Sequence, residues 1–190
     1  MRAATDPRRI VIRPSSRSAW RQWGEIVRYR DLLWTLAQRD IKVRYKQTFF
    51  GCAWAILQPL VSMAIFSIIF GHFMKAPSQG APYPLFSYAG LIAWSFFANA
   101  VSTSSLSLVA SSGLVTKVYF PRVLIPISAA GVFVVDLGVA TGVFLPVLVM
   151  SGTAPGWPVL LLVPATAALF VFSVSIGAGL AALTVRYRDV

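Results

Sequence analysis

Long apolar runs separated by short polar breaks dominate this sequence. The first run, residues 49–73, contains no Asp, Glu, Lys or Arg, and a helix needs roughly 20 apolar residues to cross the hydrocarbon core. Further runs cover residues 85–109, 123–149 and 159–185. Because a lipid-facing backbone must satisfy its own hydrogen bonds, spans of this kind are helical. The pattern predicts an all-α membrane protein whose transmembrane domain, residues 49–185, holds four transmembrane helices.

A basic segment precedes the first span. Residues 1–17 are rich in Arg, Pro and Ser, which predicts a flexible basic tail. Over residues 18–48 apolar side chains recur at helical spacing while the basic ones take other faces, and this predicts cytoplasmic amphipathic helices that lie flat in the membrane interface. The alternative is a positively charged tail without helical order. The residues assigned to this interface helix are Trp20, Trp23, Arg39, Asp40, Arg44, Tyr45 and Lys46.

Lys and Arg are distributed unevenly along the chain. Of the 17, the first 46 residues hold 12, the loop after the second span two and residues 186–190 two, whereas the loop after the first span holds only Lys75. Because positive residues concentrate on the cytoplasmic side, both ends of the chain and the 113–126 loop are predicted to be cytoplasmic. The aromatic residues then expected near the outer headgroups are Tyr83, Tyr88 and Trp157.

Composition excludes several classes of protein. Charged residues make up 12% of the chain, against about 25% in an ordinary globular domain. The net charge of +11 does not indicate nucleic-acid binding, because basic residues crowded beside apolar runs act as topology signals and contact anionic lipids. There is no paired-carboxylate set, nucleophile elbow, metal-ligand cluster or P-loop. We therefore expect no catalytic residue, metal or cofactor on this chain, and an ATP-driven transporter would need its ATPase on a separate one.

One acid, Asp136, lies in the middle of the third predicted span. A carboxylate at that depth costs roughly 2.5–3.5 kcal/mol, and no other predicted span contains a Lys or Arg. Protonation, hydrogen bonds to groups such as Asn99, Ser102 or Thr103, or a partner outside this chain are open alternatives. We favour a helix-packing hydrogen bond over a proton pathway, because a proton relay usually needs a second titratable group.

Three separated motifs carry a family resemblance. They are "RDIKVRYKQTFFGCAWAILQPL" (39–60), "YAGLIAWSFFANAVSTSSLSLVASSGLVTKVYFPRVLIPIS" (88–128) and "RYRDV" (186–190). Together they resemble the permeases of bacterial ABC exporters for polysaccharides and polyol phosphates, such as O-antigens, teichoic acids and capsular polymers. The likeness covers about residues 28–190.

The resemblance implies a homodimeric permease in the bacterial inner membrane with two cytoplasmic ABC ATPase subunits. ATP and Mg on those subunits would drive a lipid-linked or acidic polymer outward. Permeases of this family have about six spans, whereas this chain stops after four. The sequence is therefore expected to be a truncated permease.

The resemblance also implies roles for residues. The loop of residues 113–122 corresponds to the segment that docks into the ATPase, and we call it the coupling loop. Two aromatics beside two cations are typical of a compact interface anchor; the alternative is that Tyr119 and Phe120 belong to the inner aromatic belt. The contact residues are Lys117, Val118, Tyr119, Phe120, Pro121 and Arg122. The family's aromatic-lined channel makes lining candidates of Trp54, Gln58, Phe66, Phe70, Trp94, Phe97 and Asn99.

Other functions compete with polysaccharide export. A permease of related architecture for lipid or drug export would have the same pattern of spans. A membrane-embedded transferase of polymer synthesis should show clustered acids or His near one membrane face, and this sequence lacks them. An assembly partner or membrane anchor that transports nothing is the remaining alternative.

Overall fold

The computed structural model describes residues 27–46, 51–78, 80–115, 120–152 and 156–186. In chain order the elements are α1 (Arg30–Lys46), α2 (Gly51–Phe66) continuing as a π-helix (Ser67–Phe73), α3 (Tyr83–Ala110), the short α4 (Ser112–Val115), α5 (Leu124–Met150), a 3-10 turn (Trp157–Leu161) and α6 (Leu162–Arg186). Four of the described helices are long and apolar enough to cross a membrane. The predicted all-α membrane fold is thereby confirmed.

The second span, α3, lies at the centre of the bundle and packs against α2, α5 and α6. Its Phe96 and Ala100 form a buried cluster with Ala130 and Phe133 of α5. Side chains of α6, among them Phe170, pack against the same cluster. Since lipid tails are as apolar as these side chains, close van der Waals packing and interhelical hydrogen bonds hold such helices together.

Small residues bring α3, α5 and α6 close together. A Cβ added at Gly177 of α6 would lie 2.5 Å from the Cβ of Ser104 on α3. Ser104 is fully buried, and its hydroxyl donates a hydrogen bond of 3.0 Å to the backbone carbonyl of Pro126 on α5. One buried serine in the polar run 99–107 therefore joins three spans.

The prediction that Tyr88 belongs to an outer aromatic belt is wrong. Its side chain is fully buried, its hydroxyl donates to the backbone carbonyl of Ala140 at 3.3 Å, and its ring stacks on Phe144 with centroids 5.8 Å apart. The distance of a residue from a loop predicts its depth but not the helix face on which it lies, and Tyr88 lies on the face toward α5. Trp157, by contrast, is 74% exposed.

Candidate functional site

The interface helix α1 packs along the first half of the third span, α5. At its beginning, Tyr29, Leu32 and Leu33 pack against a buried cluster formed by Phe120, Leu124 and Ile125. Further along, the Ser128 hydroxyl lies 3.5 Å from a carboxylate oxygen of Asp40, and finally Arg44 reaches Asp136. The contacts advance in the same direction on both helices, from Leu124 to Asp136, which is about 18 Å along α5.

This course corrects the expectation that the interface helix lies flat on the membrane. A helix lying flat would cross a membrane-spanning helix at one level, whereas α1 contacts α5 at successive levels. Leu36 of α1 is buried by these contacts, while Trp34 is 64% exposed. The side of α1 that carries Leu36 therefore packs within the bundle, and the side that carries Trp34 does not.

Both carboxylate oxygens of Asp136 have partners on α1. A terminal nitrogen of Arg44, Nη2, donates to Oδ2 of Asp136 at 2.8 Å, and the Tyr45 hydroxyl donates to Oδ1. The Arg44 guanidinium also lies over the ring of Phe133, 4.7 Å from its centroid, which is a favourable cation–π arrangement. The Asp136 side chain is 23% exposed and that of Arg44 46% exposed. The acid is thus neutralised within the chain.

The open alternatives for Asp136 did not include this partner. Arg44 lies outside the predicted spans, on a helix that runs beside the third one. Asn99, a suggested partner, instead donates to the backbone carbonyl of Ser95 in its own helix at 2.7 Å. Asp136 lies within the candidate membrane span Leu124–Met150.

A groove lined by both polar and apolar side chains lies beside this ion pair, between α1, α3 and α5. It has a volume of about 580 Å³. In it, Arg39 donates through Nε and Nη2 to the same oxygen of Asp40, at 2.9 and 2.8 Å. The polar side chains lining the groove on α1 and α3 are Arg39, Asp40, Arg44, Ser102, Thr103, Ser107 and Ser111. Since both arginines are already paired with carboxylates, the groove carries no excess positive charge from them.

The described part of the coupling loop is fastened to α1. Phe120 is only 7% exposed and packs among side chains of α1, α3 and α4, including Leu32, Leu108 and Leu114. Arg122 is exposed. Phe120 therefore holds the loop in place and does not present its ring as an exposed anchor, a distinction that residue type alone does not reveal. The predicted contact residues Lys117, Val118 and Tyr119 lie outside the described residues.

The channel-lining candidates fall into two aromatic groups. Phe66 and Phe70 stack along the first span with centroids 5.4 Å apart. Phe97 of the second span packs against Trp94 at 6.0 Å and stacks on Phe172 of the fourth at 5.8 Å. The candidate side chains of Gln58 and Asn99 are exposed. The role of these candidates in a channel stays a prediction. The side chain of the channel candidate Trp54 lies outside the described part, as do the interface residues Trp20 and Trp23 and the side chain of Lys46.

The site contains residues that the motifs did not single out. Ser128 is 2% exposed, donates to the backbone carbonyl of Ile125 at 2.9 Å and lies 3.5 Å from Asp40 of α1. Gly177 permits the close approach of α6 to α3. The signals available in the sequence are a serine two residues after a proline, which is Ser128, and a glycine in an apolar run, which is Gly177. Neither signal names the partner helix.

Comparison with known proteins places this geometry in a family. The family model described as ABC-2 type transporter matches residues 31–190. The chain belongs to the ABC-2 type transporter family. The matched region includes α1 and all four spans, so the helix that pairs with Asp136 is part of the family domain. The resemblance to an exporter permease is confirmed, and the chain is a multi-pass membrane protein of a transporter family.

Individual relatives are permeases and transport proteins for polysaccharides. The chain is 30% identical, over 87% of its length, to the O-antigen export system permease protein RfbA of Myxococcus xanthus, and 39% identical over 52% of its length to the RfbA protein of Klebsiella pneumoniae. It is 32% identical over 40% of its length to the polysialic acid transport protein KpsM of Escherichia coli. The chain spans 63%, 37% and 30% of these relatives, respectively.

Proposed function

We propose that this chain is the membrane-spanning subunit of an ATP-driven exporter that moves a lipid-linked or acidic polysaccharide across the bacterial inner membrane. The observation that carries the proposal is the similarity to an O-antigen export permease over 87% of the chain. The similarity to a polysialic acid transport protein supports an acidic polymer as an alternative cargo. A permease of the same family for lipid or drug export is the second candidate, favoured only by the shared architecture.

Energy for export would come from a separate chain. The ABC-2 family implies an ABC ATPase partner, on which ATP and Mg would bind. A second copy of the permease would complete a homodimer. The alternating positions of the loops and the excess of Lys and Arg before the first span support a cytoplasmic location for the beginning of α1 and for the coupling loop, where an ATPase can reach them.

The geometry supports a route for movement from the ATPase into the membrane. The coupling loop leads directly into α5, which begins at Leu124. Through Phe120 the loop also packs against side chains of α1, and α1 ends at Lys46, shortly before α2 begins at Gly51. A displacement of the loop would therefore act on the third span directly and on the first span through α1.

Charge reversal at an exposed residue of the coupling loop tests this proposal. Arg122→Glu should reduce the amount of ATPase that co-purifies with the full-length permease, because Arg122 is exposed beside the proposed docking site. Lys75→Glu is the matched control, since Lys75 is also exposed but lies in the loop after the first span, on the opposite membrane side. Equal recovery of ATPase with both variants would contradict the docking assignment. Export of the polymer by reconstituted permease and ATPase tests the cargo.

A further inference from the structure

We propose that Asp136 is a positioning residue that locks α1 onto the third span, so that the coupling loop, α1 and the first half of α5 move as one unit. The inference rests on the proposed function, because it concerns how movement of an ATPase would enter the membrane domain. It assigns Arg44 and Tyr45 as the other half of the lock. The lock joins the far end of α1 to α5, opposite the end held by Phe120.

Contacts at three levels hold this unit together. At the coupling loop, Phe120 and Leu124 pack against apolar side chains of α1. In the middle, the Ser128 hydroxyl lies 3.5 Å from a carboxylate oxygen of Asp40, but its one proton is better placed for the backbone carbonyl of Ile125 in its own helix, at 2.9 Å. At the far end, the short Arg44–Asp136 bond of 2.8 Å is reinforced by the Tyr45 hydroxyl. The middle contact is too weak to hold α1 alone, so the far end of α1 depends on Asp136.

The location of the pair makes separation unfavourable. Asp136 lies within the candidate membrane span Leu124–Met150, where an unpaired carboxylate is costly. Detachment of α1 would leave that carboxylate without either partner and would also remove Arg44 from the ring of Phe133. Charge pairs left with one member in such surroundings are strongly disfavoured. The attached arrangement is therefore the stable one, and loss of the carboxylate should free the end of α1.

The contact of Arg44 and Tyr45 with Asp136 lies where α1 leads into the first span, so it connects the first span to the third. Arg44 and Tyr45 are at the last turn of α1, which ends at Lys46, and the first span begins at Gly51. A locked α1 passes displacement of the coupling loop to the first and third spans together. With the lock open, the same displacement would bend α1 away from α5 and leave the first span behind.

Distance measurement by electron paramagnetic resonance tests the lock without any transport. In the full-length permease with Cys52→Ala, spin labels at Lys42→Cys on α1 and Val149→Cys on α5 occupy exposed positions. With the labelled permease diluted in unlabelled copies, so that a dimer carries one labelled chain, we expect one narrow distance distribution for the parent and for Asp136→Glu, and loss of the narrow peak for Asp136→Asn and for Arg44→Gln. The matched control is Asp31→Asn, because the Asp31 side chain is 95% exposed on the same helix. An unchanged distribution in both Asp136→Asn and Arg44→Gln would overturn the inference.

A second measurement separates positioning from folding. In permease reconstituted with its ATPase, the number of ATP molecules hydrolysed per polymer exported should rise for Asp136→Asn and stay unchanged for Asp31→Asn and Asp136→Glu. A folding defect lowers hydrolysis and export in proportion, so it leaves this ratio unchanged. A freed α1 with an unchanged ratio would overturn the positioning role. Absence of ATP-dependent export in the parent would instead contradict the proposed function, while the distance measurement would still report on the lock.

Discussion

The contact between Gly177 of α6 and Ser104 of α3 is the tightest helix approach that a single methyl group can test. A Cβ built at Gly177 lies 2.5 Å from the Ser104 Cβ, whereas carbon atoms pack at about 3.5–4.0 Å. Gly177→Ala must therefore push the two helices apart by about 1–1.5 Å or distort them. Overpacking of this kind typically costs about 1–3 kcal/mol.

A second glycine on the same helix isolates that cost. At Gly179 nothing lies within 4 Å of the added Cβ, so Gly179→Ala changes helix propensity without a clash. Both substitutions gain about 1 kcal/mol from replacing glycine in a helix. The difference between them is then the packing term, and we expect Gly177→Ala to be less stable than Gly179→Ala by about 1–3 kcal/mol.

The assay is the free energy of unfolding in mixed detergent micelles as the fraction of denaturing detergent is raised. Ser104→Gly removes the opposing Cβ, so Gly177→Ala should cost less in that background, and a double-mutant cycle measures the coupling. The cycle also subtracts the lost hydrogen bond from Ser104 to the Pro126 carbonyl. Equal stability of Gly177→Ala and Gly179→Ala, together with zero coupling to Ser104, would refute the close approach of α3 and α6.

Two further substitutions test the packing in the same unfolding assay. Phe120→Ala should lower the free energy of unfolding by about 3–5 kcal/mol, because it empties a buried site between α1 and the coupling loop. The control Phe73→Ala, at a residue 75% exposed, should change that free energy by less than about 0.5 kcal/mol. Similar effects of the two variants would contradict the burial of Phe120. Tyr88→Phe keeps the stacking on Phe144 but removes the hydrogen bond to the Ala140 carbonyl. It should lower the free energy of unfolding by about 0.6–1.7 kcal/mol, and an unchanged free energy would contradict that hydrogen bond.

The pattern of apolar runs was sufficient to predict the spans. The described helices begin and end within a few residues of the predicted runs, for example Tyr83–Ala110 against 85–109 and Leu124–Met150 against 123–149. The lipid environment makes the spans predictable, because a segment away from water must form its own backbone hydrogen bonds and must be long enough to cross the membrane. Length and hydropathy are properties of a segment, and a sequence displays them directly.

Length and hydropathy do not predict which side chains contact one another across the helix bundle. Tyr88 was expected among headgroups and is buried against α5, and Phe120 was expected to be an external anchor and is buried against α1. In both cases the residue type and depth were compatible with either environment. The rotation of the helix about its axis and the identity of its neighbour decide between them.

Asp136 shows the same division between local and long-range information. Asp136 is the one acidic residue in an apolar run, and this indicated that it needs a partner, because an isolated carboxylate in lipid is costly. The partner, Arg44, is separated by 92 positions in the chain and lies on a helix that does not span the membrane. Composition and periodicity therefore established the spans and the need for compensation of a buried charge. The packing of α1 beside α5 established which residue supplies it, since a contact between distant segments depends on the geometry of the whole bundle.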